Sequence, residues 1–235
     1  MKIEAKMESR KMKSAIGLII FGLTQSFIQN AYAEAKNFEG FSAAAGVNFV
    51  NNTSTFYGGA NNDTILKGDS TVSTLDFSYN KAVSDQLLIG AGLTYDIGNA
   101  SVNNWTVVDS GVTYTATSKI TNHYSVYVKP TFAVTERVAL FAKLGYNFAR
   151  MNFTDTNGQM YSWSSGYVNL NKSVSAVGYG LGLTVMITDS IFASGEYSYV
   201  DFGKVTLGSP GNAPGVTATS QPRLNQGILS VGYRF

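Results

Sequence analysis

From Phe38 onward the chain alternates runs of period-two hydrophobicity with polar stretches rich in Asn, Ser, Thr and Gly. Successive side chains of a strand point to opposite faces, so each run sorts into an apolar face and a small or polar one. The last seven residues show this clearly: Leu229, Val231, Tyr233 and Phe235 share one face, and Ser230, Gly232 and Arg234 share the other. The polar stretches are alternately long and short. Long loops on one side of a membrane and tight turns on the other produce that rhythm in a transmembrane barrel, where the apolar face meets lipid and the polar face lines the lumen.

The pattern predicts eight strands. The first, about Phe41 to Phe49, turns Phe41, Ala43, Ala45, Val47 and Phe49 to lipid, and a long loop follows to about Ser70. The second shows Leu75, Phe77 and Tyr79 outward over Asp76, Ser78 and Asn80, then turns through Val83-Ser84-Asp85-Gln86. The third starts at Leu87, with Ile89, Ala91, Leu93, Tyr95 and Ile97 outward and Gly90, Gly92, Thr94 and Asp96 inward, before a loop from roughly Gly98 to Ser118. The fourth places Tyr124, Val126 and Val128 outward and His123, Ser125, Tyr127 and Lys129 inward. Pro130 removes a ladder donor and is read as a strand end or local bulge. After Val134-Thr135-Glu136-Arg137 the fifth strand carries Leu140, Ala142, Leu144, Tyr146 and Phe148 over Phe141, Lys143, Gly145 and Asn147, and a loop covers Met151 to Lys172. The sixth shows Val177, Tyr179, Leu181, Leu183 and Val185 to lipid over Gly178, Gly180, Gly182 and Thr184. Beyond Thr188-Asp189-Ser190 the seventh has Ile191, Ala193, Tyr197 and Tyr199 outward, with Ser194, Glu196 and Ser198 inward, and the last loop runs from Gly203 to Arg223.

Eight strands, four long loops and three short turns predict an all-β fold, an eight-stranded antiparallel up-and-down transmembrane β-barrel. Closure leaves no edge and pairs every backbone group inside lipid. A soluble eight-stranded barrel would carry the inverse pattern, apolar inside and polar outside. The eighth strand must pair with the first to shut the barrel.

The amino terminus changes the charge picture. A basic start with Arg10, Lys11 and Lys13, an apolar run from Ala15 to Leu23 and the small site Ala31-Tyr32-Ala33 read as a signal peptide spanning residues 1–33, cleaved after Ala33. The barrel domain is then 34–235. The stretch before Met12 is long for such a signal and holds Glu4 and Glu8, which fits a start at Met12. Cleavage removes five basic residues (Lys2, Lys6, Arg10, Lys11, Lys13) and two acidic ones, turning the net charge from +2 to −1. The basic balance of the full chain therefore belongs to the signal and gives no support for nucleic-acid binding. With no cysteine there is neither a disulfide framework nor a thiolate site.

The Gly-Tyr-Asn-Phe of the fifth strand, the stretch Gly-Glu-Tyr-Ser-Tyr-Val-Asp-Phe-Gly at 195–203 and the terminal Val-Gly-Tyr-Arg-Phe resemble the small opacity-type, porin-family outer membrane proteins of Gram-negative bacteria, which share an OmpA-like membrane-domain architecture. The resemblance covers the mature chain in pattern and these short motifs in residue identity. It implies an outer membrane location among lipid and lipopolysaccharide, and reading of the terminal Tyr233 and Phe235 by the barrel assembly machinery.

Three places could carry chemistry. Lys143 and Glu196 each lie five residues past the start of a strand that leaves the periplasmic side, so they share a height in the lumen, with Gly182 between them and Asp76 and Tyr127 near the same level. Lys129 faces the same lumen. This lumenal polar network is either a gate on an ion path or a plug that satisfies charges in a barrel whose interior side chains nearly fill. His123-Tyr124-Ser125 is the one place where a nucleophile and a base are close, and lipid A deacylases on such barrels use a His-x-Ser pair with a later Glu. Glu136 falls in a periplasmic turn here, away from His123. Loop aromatics Tyr57, Trp105, Tyr161, Trp163 and Tyr167 suit partner or glycan contact, or extend the aromatic girdle.

The expectation is a non-enzymatic, monomeric outer membrane barrel without cofactor or metal, its lumen plugged by polar side chains, structural or surface-interacting, engaging any extracellular partner through its long loops. A small diffusion porin is the alternative and a lipid A-modifying enzyme the third reading. Deleting Phe235 is expected to lower the yield of membrane-assembled, heat-modifiable barrel; an unchanged yield would remove the terminal aromatic from the assembly signal.

Overall fold

The computed structural model describes residues 34–57, 64–102, 105–109, 112–155, 168–208 and 218–235. The signal segment 1–33 and the loop aromatics Tyr161, Trp163 and Tyr167 lie outside the described residues. A short 3₁₀ turn over Ala35–Phe38 precedes β1 (Gly40–Tyr57), β2 (Thr64–Ala82), β3 (Leu87–Ile97), β4 (Asn99–Ser101), β5 (Trp105–Asp109) and β6 (Val112–Ala133). Then come β7 (Val138–Asp155), β8 (Val168–Met186), β9 (Ile191–Asp201), β10 (Val205–Gly208) and β11 (Ala218–Arg234). Among the described residues no helix is long and apolar enough to cross a membrane.

Eight strands make the wall in the order β1-β2-β3-β6-β7-β8-β9-β11, each antiparallel to its neighbour, and β1 pairs with β11 to close it. The closing seam runs from Ser42 opposite Arg234 to Tyr57 opposite Thr219. The short strands prolong the wall outward: β4 and β5 continue the line of β3 along β6, and β10 continues that of β9 along β11. The eight-stranded closed barrel agrees with the sequence pattern, as do the three short turns at 83–86, 134–137 and 187–190.

The strands are longer than the pattern predicts. β1 runs eight residues past Phe49, β7 reaches Asp155, β8 begins at Val168 and β11 at Ala218, so much of what reads as loop is strand. Phe41 to Phe49 cover about 26 Å along β1, or about 20 Å along the membrane normal at a tilt near 40°, close to the height of an outer membrane apolar band. Above that level the alternation persists with its sides exchanged. Val50, Phe56, Ile120, Met151, Phe153, Val200 and Leu224 point inward and form one buried cluster. Exposed or half-exposed Asn51, Thr53, Lys119, Arg150 and Ser173 lie on the outer face. The pattern that marks a soluble barrel thus occurs in the outer half of this one.

Pro130 is not the site of a bulge. It lies on the exposed face of β6 opposite Ile89 of β3, while the ladder to β7 passes over Lys129 and Pro130 and resumes in the same register at Thr131. The missing donor costs one link on one side only. The bulge falls instead between Thr121 and Tyr124, where Asn122 takes φ 51°. A bulge inserts one residue and re-aims the side chains beyond it, and Asn tolerates the left-handed region better than most residues. Here the extra residue turns His123 into the lumen.

Residues 34–39 form a strap across the periplasmic mouth. The Ala35 N–H bonds to Asp85 O (2.7 Å), and the Asn37 side chain reaches Glu136 O (3.3 Å). Arg234 donates to Lys36 O, Glu39 O and Asp189 O. Ala35 and Phe38 are buried against Leu88, Ala133, Ala139 and Met186. Given the exchange of faces, Leu144→Arg on the exposed lipid band should cost about 2–4 kcal/mol in a bilayer refolding titration. Thr154→Arg, farther out on β7, should stay within about 0.5 kcal/mol. Equal costs would contradict the exchange.

Candidate functional site

Between the two apolar clusters the lumen holds polar side chains in two layers. The lower is built on β2, β6, β7 and β9, whose inward positions carry Asp76, Tyr127, Lys129, Lys143 and Glu196. Lys143 Nζ donates to Glu196 Oε2 at 2.6 Å and lies 3.6 Å from Asp76 Oδ2. The Tyr127 hydroxyl reaches both Asp76 oxygens at 2.8 Å, and Lys143 Nζ sits 4.2 Å from the centre of the Tyr127 ring. Lys129 meets no carboxylate directly: its ammonium lies 3.4 Å from Ser78 Oγ and 5.5 Å from the centre of the Phe141 ring. Two cations face two carboxylates, so the layer is neutral, as a charged layer in a low-dielectric interior must nearly be.

The strand between the pair differs from the expectation in one detail. Across β8, Lys143 stands opposite Gly180, and Glu196 opposite Gly182. Gly180 makes the room, since a Cβ there would lie 3.1 Å from Glu196 Oε1. A Cβ on Gly182 would instead strike the Phe141 ring. Counting residues from the turns places both partners at one height but ignores the stagger of a tilted barrel, which slides the facing position by two residues.

The upper layer is not evident from the sequence, although Asp96 and His123 both read as lumenal. His123 Nδ1 lies 2.8 Å from Asp96 Oδ2, and Nε2 lies 3.1 Å from Asn147 Oδ1. Asn147 Nδ2 donates to Gly145 O and Ala176 O, which leaves its oxygen as the acceptor toward the ring. Asp96 and Asn147 thus hold the ring from both of its nitrogens. Asn48 and Gln226 also donate to Asp96 Oδ2, at 3.0 and 3.3 Å. The usable signal is the inward parity that the sequence gives both residues, a parity the bulge at Asn122 preserves for His123. Ser125 does not act with the histidine: its hydroxyl pairs with Thr94 Oγ1 at 2.8 Å. Glu136 sits in the periplasmic turn, where Asn37 bonds its carbonyl.

Two cavities of about 30 and 40 Å³ flank the lower layer, and Lys143 and Glu196 line both. Each has room for a water molecule or two. Among the described residues no group of three or more His, Cys, Asp or Glu side chains is placed to hold a metal ion.

Two further groups lie away from the lumen. At the carboxy terminus Tyr233 pairs with Ala43 and Ile191, the Phe235 N–H bonds to Phe41 O at 2.9 Å, and the two rings meet edge to face at 5.1 Å. On the outer half, Tyr57 donates to Gln221, Gln221 and Arg223 both bond Asp201, and Lys204 lies 4.1 Å from the centre of the Tyr57 ring. Burial alone would raise the Asp201 carboxyl. The hydrogen bonds from Gln221, Arg223 and the Gly203 N–H, with the guanidinium charge, outweigh it and hold the group below the ordinary aspartate value. Tyr57 is thus strand, not loop, and Trp105 lies in β5.

Residues 19–235 match the family model of the outer membrane protein β-barrel domain. Among solved structures the chain is similar to the outer membrane protein OprG of Pseudomonas aeruginosa, with 15% identity, 88% of this chain and 99% of that one covered, and a TM-score of 0.55. It is also similar to Ail, the attachment invasion locus protein of Yersinia pestis (16% identity, 84% and 99% covered, TM-score 0.45). The outer membrane protease OmpT of Escherichia coli matches at 9% identity, 83% and 97% covered, with a TM-score of 0.47. No curated protein matches the chain in sequence.

The lower layer predicts a sign of coupling. Lys143→Met leaves Glu196 buried without its partner and should destabilise the barrel by about 3–5 kcal/mol in urea unfolding. Adding Glu196→Gln, which leaves Lys129 to balance Asp76, should recover most of that loss; additive costs would show that the two side chains act independently.

Proposed function

Since the chain belongs to the outer membrane β-barrel family and so resides in the outer membrane, we propose that it serves as a closed, non-enzymatic barrel whose role is structural or exercised at the extracellular surface. The observation that carries this reading is a lumen filled at three levels: an apolar cluster above, the buried Lys143–Glu196 pair 2.6 Å apart in the middle, and the strap with its apolar contacts below. An ion crossing the lumen would have to break that pair and pass both apolar levels, and water leaves apolar constrictions readily.

Catalysis finds no support in the lumen. Both nitrogens of His123 are engaged by Asp96 and Asn147, and Ser125 is engaged by Thr94, so neither nucleophile nor base is poised for a substrate. The family is largely non-enzymatic, and the protease named above is a distant likeness of fold. Signal cleavage after Ala33 belongs to the same reading, because it leaves Glu34, the first residue of the strap, as the new amino terminus. Tyr233 and Phe235, at the periplasmic end of the seam, are the residues we assign to the assembly machinery.

A small diffusion porin remains the alternative, and conductance separates the two. Refolded protein in planar bilayers should be silent, and Lys143→Met should stay silent because the apolar levels do not depend on the pair. Stable, reproducible channels from the native protein would replace the plugged barrel with the porin. Sharp conductance from Lys143→Met alone would make the pair a gate.

A further inference from the structure

On β2 and β9 the outer half carries carboxylates beside its cations. Asp201 takes Arg223, and Asp69, held by Asn51 at 2.8 Å, is two residues along β2 from Lys67. Among the residues whose side chains are described, the face built by β6, β7 and β8 does not. Arg150 stands on β7 opposite Thr121 of β6 and Ser173 of β8, and one row farther out Lys119 stands opposite Asn152. Arg150 and Lys119 are exposed, and among the described residues neither forms an ion pair with a carboxylate. As diagonal cross-strand neighbours their Cα atoms are about 7–8 Å apart and their Cβ atoms somewhat closer.

The height of this pair is as telling as its charge. Immediately below Arg150, Tyr124 stacks on Phe148 (centroids 4.8 Å, planes 13° apart), and Tyr146 meets Phe148 edge-on at 5.0 Å. Such a cluster marks the boundary between hydrocarbon and headgroups. The two cations therefore begin where acyl chains end and headgroups start. Around them stand hydroxyls and amides of the kind that meet sugar: Thr121, Asn152, Ser173 and Ser175, with Asn152 bonding Thr121 at 3.2 Å and Ser175 bonding the Tyr146 hydroxyl at 3.0 Å.

We infer that Lys119 and Arg150 form a binding site for the phosphate of a phosphorylated glycolipid in the outer leaflet. A phosphate reaches both cations from the headgroup plane, and Arg can take it with two donors at once. The attached sugar falls on the Asn and Thr side chains, while the acyl chains run down past Phe148 and Tyr146. The site does not depend on whether the lumen conducts.

The test uses the refolded full-length mature barrel and measures retention of lipopolysaccharide by native mass spectrometry. Lys119→Gln with Arg150→Gln should weaken retention about thirtyfold, since each cation near a charged membrane surface contributes about fivefold. Lys67→Gln with Lys204→Gln, on the opposite face, should leave it unchanged. Enzymatically dephosphorylated lipopolysaccharide should bind the native barrel no better than it binds the double variant. Unchanged retention in the Lys119 and Arg150 variant would overturn the site. An equal loss in the Lys67 and Lys204 variant would replace it with diffuse attraction. Phosphatidylglycerol bound as tightly as lipopolysaccharide, with the same loss in the variant, would overturn the glycolipid assignment. Because all four positions are exposed, the variants should keep the native heat-modifiable band, and a variant that lost it would be replaced by the single Arg150→Gln.

Discussion

Closure of the sheet is the constraint on which everything else in this molecule rests. In hydrocarbon an unpaired backbone N–H or C=O has no water to turn to, so β1 and β11 must meet along their whole length. Once eight strands are closed, the interior is narrow, and side chains must fill it. Glycines on β8 and β3 give back some of that space, and the lumenal charges are drawn close enough to pair. The Lys143–Glu196 and His123–Asp96 contacts are thus consequences of a small closed cylinder that contains ionisable groups.

The same cylinder passes through two solvents. Within the bilayer its outer face must be apolar, and its inside can be polar only if every group finds a partner. Above the bilayer the outer face is wet, and the inside must supply the hydrophobic core that any soluble barrel needs. Backbone hydrogen bonding is indifferent to this change, so the strands continue while the side-chain pattern exchanges faces near Phe49, Tyr124 and Phe148. The charged layers occupy the lumen at membrane height, and the apolar cluster around Phe56, Phe153 and Leu224 begins where they end, with only small neutral groups such as Asn52, Ser54 and Ser118 buried at its level.

That exchange explains what the sequence made legible. The eight strands could be read because eight segments keep an apolar face of at least three residues, and the short turns could be read because they interrupt it. The outer thirds could not. In Met151–Asp155 the period of two survives, but the residues now outward are Asn152 and Thr154, whose polarity signals a loop. The ion pair was legible because Lys143 and Glu196 are counted from the same side of the membrane. The glycine beneath them was off by two because a count along strands contains no shear. The His123–Asp96 pair was missed although both residues read as lumenal, because β3 and β6 are joined by the long outer segment and no short turn sets their register for a count.

The two ends of the lumen are closed by different means, and the difference bears on how the molecule is put together. The outer apolar cluster is made of the wall strands themselves and forms as they pair. The periplasmic strap is bonded to backbone carbonyls of three turns, Asp85, Glu136 and, through Arg234, Asp189, and these turns join six of the eight wall strands. Arg234 belongs to the closing strand. The strap therefore has its full set of partners only after β11, which carries the donor Arg234, has met β1, which makes it the last element able to settle. Its burial of Phe38 against Leu88 and Met186 then stabilises the closed barrel specifically, because an open sheet would not bring those residues around one mouth.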